Sequence, residues 1–301
     1  MITGICHYAT TVTDLQRSMR FFGEVLGIEH LHTQVSDQPY LSGITGIPGC
    51  SLRIGLARTE GNDVTYEVLE FVHPQAGQSG AALGCVGTVH CCWEVDDLSA
   101  AHARLRERGV RFLTTPYVAT AGAAGDRLGC FALDPDGHPL ELIGSHQGHG
   151  GSGRLTRLHH VTLTVSDLSA ALPLFKDTLG LRVTSTFEGD SRYLHSVGGR
   201  SDGRMRGATL NLPGVSMLLQ VWEFCTPLGP AAKPAIDNVG SGHLCFRVDD
   251  IRRGFDTLVS HRIPIIGRPT EVTAGKNRGA CAFHFAGPDG IRLELFQGPP
   301  T

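Results

Sequence analysis

Short runs in which apolar and polar side chains alternate recur along the chain and predict β-strands, as in the run His160 to Val165. Four such runs are each followed by an Asp that can cap a helix and then by a segment of helical periodicity. The predicted helices are Leu15 to Leu26, Leu98 to Arg108, Leu168 to Leu179 and Ile251 to His261. Several end at a glycine that suits a left-handed C-cap, namely Gly27, Gly109 and Gly180.

Further strands complete the unit that each helix belongs to. In the first unit they are Ile28 to Val35, Leu52 to Ala57 and Thr65 to Val72, and in the last they are Ile263 to Pro269, Ala280 to Phe285 and Ile291 to Phe296. Turn sequences separate the last two strands, as in Asp134-Pro135-Asp136-Gly137. Each unit is therefore predicted to be a β-α-β-β-β module.

The modules are copies of one another. The motif His-x4-Val-x-Asp recurs at His7, His90, His160 and His243, and a shift of 153 residues superimposes the second half of the chain on the first. A stretch rich in glycine, Gly144 to Gly153, suits a flexible linker between the halves. We predict an α+β fold of four βαβββ modules, paired into two similar domains that each form a curved, cup-like mixed sheet. The predicted bounds are 1–146 and 154–301, with 147–153 as linker.

Composition narrows the class of protein. The 301 residues are 41% hydrophobic and carry a net charge of −3, which argues against nucleic acid as a partner. No run of 18 apolar residues and no export signal is present, so we expect a cytoplasmic protein with no membrane partner. The nine cysteines are odd in number, and we expect them to be reduced, mostly as small buried hydrophobes.

The repeat also places polar residues of metal-ligand type in fixed register. In a β-α-β-β-β module the first and last strands can be neighbours, so a His on one and a carboxylate on the other can face the same concavity. Two facing modules then supply four ligands. We expect an N-terminal set of His7, Glu67, His90 and Glu141, and a C-terminal set of His160, Gln220, His243 and Glu294. These donors suit Zn, Ni, Co, Mn or Fe(II), and the lack of thiolate argues against a closed structural zinc site.

The halves differ beside these positions. The 153-residue shift turns Ser42 into His195 and Phe131 into His284, so the C-terminal half gains two titratable groups. We therefore favour the C-terminal half as the catalytic one. The candidate catalytic residues are Glu294, His195, His284 and Glu141.

The chain resembles the vicinal oxygen chelate superfamily of glyoxalase I, methylmalonyl-CoA epimerase, bleomycin-binding proteins and type I extradiol dioxygenases. The resemblance covers nearly the whole chain. It rests on the four module starts, on Phe-Phe-Gly-Glu-Val-Leu-Gly after the first helix, and on Asp-Pro-Asp-Gly-x-x-x-Glu ending at Glu141. It implies a divalent metal that chelates two adjacent oxygens of a small substrate and stabilises an oxyanion.

Two reactions are implied. The N-terminal set is similar to that of glyoxalase I and the C-terminal set to that of methylmalonyl-CoA epimerase, both of which move a proton next to a carbonyl. We favour such a lyase or isomerase, in which the metal stabilises an enediolate and Glu294, Glu141 or His195 is the base. The alternative is an extradiol dioxygenase with Fe(II) held by His160, His243 and Glu294, a 2-His-1-carboxylate triad. In that case His195 is the acid-base residue.

A second alternative is a metal-free protein that sequesters a small molecule. Such a cup needs aromatic walls, and the chain has only two Trp and five Tyr. The sequence leaves open the identity of the substrate, the identity of the metal and the formation of a homodimer.

Overall fold

The chain forms two curved mixed sheets of eight strands each, built from four βαβββ modules. The computed structural model describes residues 2–59, 64–119, 127–145, 150–189, 204–226 and 228–300. The predicted α+β class and the two similar domains with cup-like sheets are confirmed. No helix in these described ranges is long and apolar enough to cross a membrane.

The elements of the N-terminal half follow the predicted order. Module one comprises β1 Ile2–Thr11, α1 Leu15–Arg20 with a π-helical extension Phe21–Leu26, β2 Glu29–Ser36, α2 Tyr40–Thr45, β3 Ser51–Arg58 and β4 Thr65–His73. A two-residue strand, β5 Gly77–Gln78, lies between the modules. Module two comprises β6 Val89–Val95, α3 Leu98–Glu107, β7 Tyr117–Ala119, β8 Arg127–Leu133 and β9 Pro139–Gly144.

The C-terminal half repeats this order. Module three comprises β10 Leu155–Val165, α4 Leu168–Pro173 with a π-helical extension Leu174–Thr178, β11 Arg182–Gly189, β12 Met205–Asn211 and β13 Leu218–Phe224. The short strand β14 Asn238–Val239 follows. Module four comprises β15 Gly242–Val248, α5 Ile251–Ser260, β16 Thr270–Glu271, β17 Cys281–Ala286 and β18 Arg292–Gln297.

Each main helix begins where the predicted Asp caps it. The four Asp side chains accept hydrogen bonds from backbone N–H groups of the first turn, which otherwise lack a partner within the helix. The residues that do so are Asp14, Asp97, Asp167 and Asp250. The first helix ends at Gly27 with φ of 84°, as the C-cap prediction requires.

The predicted strand from Ile263 to Pro269 is wrong. Only an isolated bridge from Ile265 to Phe285 forms there, and β16 begins at Thr270. Two prolines in the segment have no N–H to donate to a strand. The segment instead contacts α2, and the backbone N–H of Arg268 donates to the Gly43 carbonyl.

The modules pair between the halves of the chain and not within them. One sheet has the order β16-β17-β18-β15-β1-β4-β3-β2 and thus joins module one to module four. The other has the order β11-β12-β13-β10-β6-β9-β8-β7 and joins module two to module three. The expectation that two consecutive modules form each sheet is therefore wrong, and the bounds 1–146 and 154–301 remain a prediction about the sequence repeat.

The connections between modules account for this pairing. Residues 145–154 return the chain from β9 to β10 within one sheet, where both strands flank β6. The longer connections 74–88 and 225–241 cross from one sheet to the other, and their short strands β5 and β14 pair in parallel. Residues 146–149 of the predicted linker lie outside the described ranges.

The core lies between the convex faces of the sheets and the helices. One cluster of buried side chains joins the four modules and includes Tyr8, Trp93, Phe175 and Phe246. Burying side chains of this size stabilises the fold by roughly 1.5–3 kcal/mol each. Residues that alternate with this core point to the two concave faces, where separate clusters form.

Candidate metal centre

Strand alternation places every predicted ligand on a concave face. Tyr8 and Leu293 belong to the core, so His7 and Glu294, one residue away on the same strands, point the other way. At the seam of the first sheet β1 pairs antiparallel with β15, while β4 and β18 flank this pair in parallel. The four central strands thus carry one candidate ligand each.

Site A consists of His7, Glu67, His243 and Glu294. The Nε2 atom of His7 lies 3.3 Å from Glu67 Oε2, 3.1 Å from Glu294 Oε2 and 3.1 Å from His243 Nε2. His243 Nε2 is 3.5 Å from Glu294 Oε2. A cation with bonds of about 2.1 Å separates neighbouring ligand atoms by about 3.0–3.4 Å. His7, His243 and Glu294, whose ligand atoms lie within 4.8 Å of one another, therefore fit one divalent ion in both chemistry and spacing, and Glu67 lies beside His7.

The charges of site A compensate one another. Burial disfavours the imidazolium of His7, but the Glu67 charge and the hydrogen bonds to Cys6 and Glu294 outweigh it and raise the pKa of His7 well above 6.5. Burial alone would raise the pKa of Glu294, yet hydrogen bonds from His243 and His7 hold it well below 4.5. Burial raises the pKa of Glu67. A divalent cation would take over the role of the His7 proton, so metal binding releases a proton here.

Site A is more exposed on the side of module one than on the side of module four. The side chains of His7 and Glu67 are 13% and 17% exposed, whereas those of His243 and Glu294 are 3% and 8% exposed. Helix α2 contributes Tyr40, Leu41 and Ile44 to the apolar walls. A small substrate can therefore approach the ligands from the Glu67 side.

Three further side chains adjoin site A. His284 Nε2 lies 3.8 Å from Glu294 Oε2, and burial lowers the pKa of His284 to about 3, so this imidazole is neutral. Cys6 and Cys245 lie on the other side of His7. A hydrogen bond with Cys245 lowers the pKa of Cys6 below its ordinary value.

Site B, on the second sheet, consists of His90, Glu141, His160 and Gln220. His160 Nε2 lies 3.1 Å from Glu141 Oε2, and His90 Nε2 lies 3.9 Å from the same oxygen. The Nε1 of Trp222 donates to Gln220 Oε1 at 2.7 Å. The amide oxygen of Gln220 is therefore hydrogen-bonded to an indole, whereas the carboxylate of Glu67 at the equivalent position pairs with His7.

Site B is closed by aromatic side chains. The rings of Phe131 and Trp222 both lie 5.4 Å from that of His90, and the Tyr117 hydroxyl contacts Glu141 Oε1 at 3.4 Å. His90 is 0% exposed and Glu141 1%. Across the described residues neither ring nitrogen of His90 has a hydrogen-bond partner. Buried polar atoms without partners cost free energy, and the ligand atoms of Cys92, Glu141 and His160 lie within 4.8 Å of one another. A cation can therefore bind at site B, but the aromatic walls leave a substrate little access.

The ligand sets predicted within each half are therefore wrong in their grouping. The eight residues do converge, but His7 and Glu67 join His243 and Glu294, while His90 and Glu141 join His160 and Gln220. The triad proposed for a dioxygenase is not assembled, because His160 lies on a different sheet from His243 and Glu294. The preference for the C-terminal half as the catalytic unit also fails, since both halves contribute to each site.

The predicted catalytic residues have different surroundings. Glu294 and His284 lie together at site A, and Glu141 lies in the closed site B. His195 falls outside the described residues. Sequence reasoning missed Cys6 and Cys245 as neighbours of the metal ligands. The repeat contained a signal, because the 153-residue shift relates Cys6 to His159 and Cys92 to Cys245.

Relatives of the chain agree with this architecture. The Zea mays glyoxalase I structure superimposes with a TM-score of 0.67 at 17% identity, covering 98% of this chain and 92% of that one. A lactoylglutathione lyase of Schizosaccharomyces pombe is 23% identical over 281 residues, which are 88% of each chain. A 2-epi-5-epi-valiolone epimerase of an Actinomyces species is 28% identical over 156 residues, 50% of this chain and 84% of the epimerase.

Family models cover both halves. Two models of the glyoxalase/bleomycin resistance protein/dioxygenase superfamily match residues 6–148 and 157–295. Together they span most of the chain, and their division follows the 153-residue repeat. The chain therefore belongs to the glyoxalase/bleomycin resistance protein/dioxygenase superfamily.

Proposed function

We propose that the protein is a divalent-metal-dependent lyase or isomerase of glyoxalase or epimerase type, with site A as its catalytic site. The observation that carries this proposal is the convergence of two imidazoles and the Glu294 carboxylate on a concave face, with ligand atoms 3.1–3.5 Å apart and the Glu67 carboxylate beside His7. The lyase and the epimerase among the relatives act on small molecules, as their names state. We expect a small substrate with two adjacent oxygens.

The residues of site A have separate roles in this proposal. His7 and His243 would hold the cation from the two seam strands. A cation bound there would polarise two adjacent substrate oxygens and acidify the neighbouring C–H bond. Glu67 and Glu294 come from strands on opposite flanks of the seam. One carboxylate can therefore remove a proton from one face of the substrate carbon while the other delivers a proton to the opposite face.

His284 positions the Glu294 carboxylate. Its imidazole is neutral and buried, and its Nε2 lies 3.8 Å from the Glu294 oxygen that faces His7. At this distance the neutral imidazole packs beside the carboxylate without a direct hydrogen bond and without removing its charge. We assign it the task of orienting Glu294, and no contact with substrate is needed for that role.

An extradiol dioxygenase remains the second candidate because site A itself contains a 2-His-1-carboxylate group. His7, His243 and Glu294 have ligand atoms that all lie within 4.8 Å of one another. Such a triad with open positions suits Fe(II) and O2 chemistry. Against this reading, a second carboxylate, that of Glu67, lies 3.3 Å from His7.

The two reactions are separated by what the loaded protein consumes. Purified protein is analysed for metal and then reloaded with Zn, Ni, Co, Mn or Fe(II) after chelation. A lyase or isomerase should catalyse solvent deuterium exchange into α-hydroxy-carbonyl or thioester substrates. Uptake of O2 that depends on catechol and Fe(II), without such exchange, would overturn the proposed function in favour of the dioxygenase.

A further inference from the structure

A cluster of thiols lies against the back of site A and is not needed for the proposed reaction. One ligand atom each of Cys6, His7 and Cys245 lies within 4.8 Å of the other two. Cys245 is buried and Cys6 is partly buried. Thiolate and imidazole donors together select ions that oxygen-rich sites bind poorly, such as Cd²⁺ and Cu⁺.

A β-bulge creates this arrangement. In β1 the register with β15 shifts between Ile5, opposite Phe246, and His7, opposite Cys245. Cys6 is therefore the extra residue of the bulge and has no cross-strand partner of its own. A bulge re-aims the side chain of the extra residue, and Cys6 contacts the concave-face cluster that contains Cys245. Normal alternation would have sent Cys6 to the opposite face from His7.

The thiol cluster and site A share side chains. His7 lies within 4.8 Å of the Cys6 and Cys245 sulfurs, while its Nε2 faces Glu67 and Glu294. Cys245 is also the cross-strand neighbour of Glu294 on β15 and β18. A tetrahedral ion with sulfur ligands at about 2.3 Å separates two sulfurs by about 3.8 Å, which small side-chain rotations can reach from the observed spacing.

We propose that Cys6, His7 and Cys245 form a further metal site, selective for thiophilic ions, which competes with site A for His7. Occupation of the two sites is then mutually exclusive, and a thiophilic ion displaces the harder ion of site A. That last consequence rests on the proposed function of site A, whereas ion binding by the thiols does not.

The second sheet supplies the matched control. The 153-residue shift turns Cys6 into His159 and Cys245 into Cys92, so site B has the same bulge with a single thiol. Because Cys92, Glu141 and His160 also lie close together, Cys92→Ser serves as the reference protein and removes any signal from site B. Cys225→Ser in that reference controls for loss of an exposed cysteine.

The test titrates reduced, metal-free protein with Cd²⁺ and follows the ultraviolet charge-transfer band of cadmium thiolate. We expect the reference and its Cys225→Ser variant to show the band of two thiolates. Cys6→Ser and Cys245→Ser should each weaken Cd²⁺ binding by more than about 100-fold, because a direct ligand contributes more than an outer-shell partner. Unchanged affinity in both variants would overturn the proposal.

A competition experiment tests the sharing of His7. The reference protein is loaded with Mn²⁺, whose binding is read by electron paramagnetic resonance, and Cd²⁺ is then added. We expect Cd²⁺ to release the ion from site A, and Cys6→Ser to abolish that release. Simultaneous binding of both ions would refute the shared ligand. If Mn²⁺ fails to bind at all while the cadmium thiolate band still appears, the metal role of site A fails and the thiol site stands.

Discussion

Substitution of one carboxylate in each site separates catalysis from structure. Glu294 and Glu141 are equivalent in the repeat, and each lies between buried apolar neighbours on the last strand of its module. Glu294→Gln and Glu141→Gln each remove one negative charge while keeping the side-chain shape. The pair therefore compares the same chemical change in the open site A and in the closed site B.

The contacts of Glu294 set the expected magnitude. Its Oε2 lies 3.1 Å from His7, 3.5 Å from His243 and 3.8 Å from His284, so one oxygen serves three imidazoles. As a general base it should contribute roughly 10²–10⁴-fold to turnover, or about 3–5 kcal/mol in the barrier. We expect Glu294→Gln to lower kcat by that factor.

Glu141→Gln should act on stability and leave the chemistry nearly intact. Glu141 is 1% exposed and is held by His160 at 3.1 Å and by Tyr117 at 3.4 Å. The variant removes a buried charge, so in metal-loaded protein we expect a lower unfolding midpoint and the loss of one bound metal equivalent. Its kcat should stay within about threefold of the parent value, because no contact made only in the transition state is removed.

The assays are metal analysis, thermal unfolding with and without chelator, and deuterium exchange into the substrate. Glu70→Gln is a suitable control, because Glu70 caps α1 through the Leu15 N–H and lies on the opposite strand face from Glu67. Equal losses of turnover in Glu294→Gln and Glu141→Gln would refute the assignment of catalysis to site A alone. Full activity in Glu294→Gln would refute it as well.

Three further predictions concern the scaffold. Burial raises the pKa of Asp134 from 3.8 to about 7. The contribution of protonated Asp134 to the free energy of unfolding, on the order of 4 kcal/mol, is therefore present below pH 4 and lost as the pH rises to about 7. Asp134→Asn should flatten this loss of stability in urea titrations. An added Cβ at Gly267 would lie 1.9 Å from the Ile44 carbonyl oxygen, so Gly267→Ala should cost roughly 1–3 kcal/mol by the same measurement, whereas unchanged stability would mean that the segment moves freely. In a fragment of residues 1–149, strands β1 and β6 lack their partners β15 and β10. Light scattering should therefore find a dimer in which β1 and β6 each pair with a strand of the other copy. A folded monomer would contradict this reasoning.

Local sequence accounts for most of the elements. The alternation of apolar residues, the four Asp caps and the turn glycines predict helices and strands within one or two residues of those observed, as for α1 at Leu15 and β4 at Thr65. These features depend on contacts between residues near in sequence. The segment from Ile263 to Pro269 shows where such reasoning failed. Its backbone hydrogen bonds go to β17 and to α2, and α2 is distant in the chain.

The repeat also identified the eight polar positions on the concave faces, since side-chain alternation follows from the strand backbone. It could not assign them to two sites. Modules one and two expose the same kind of seam edge as modules three and four, so several pairings satisfy the same pattern of buried residues and hydrogen bonds.

What the sequence by itself determined was the module, its four copies and the residue types available for chemistry. Only the tertiary structure decided which copies meet, because the lengths and paths of residues 74–88 and 225–241 carry the chain between sheets. That choice brings His7 to His243 and leaves Trp222 and Phe131 to close the other site. The same pairing places the bulged Cys6 next to Cys245. These two residues are far apart in the sequence, and no local pattern specifies their contact.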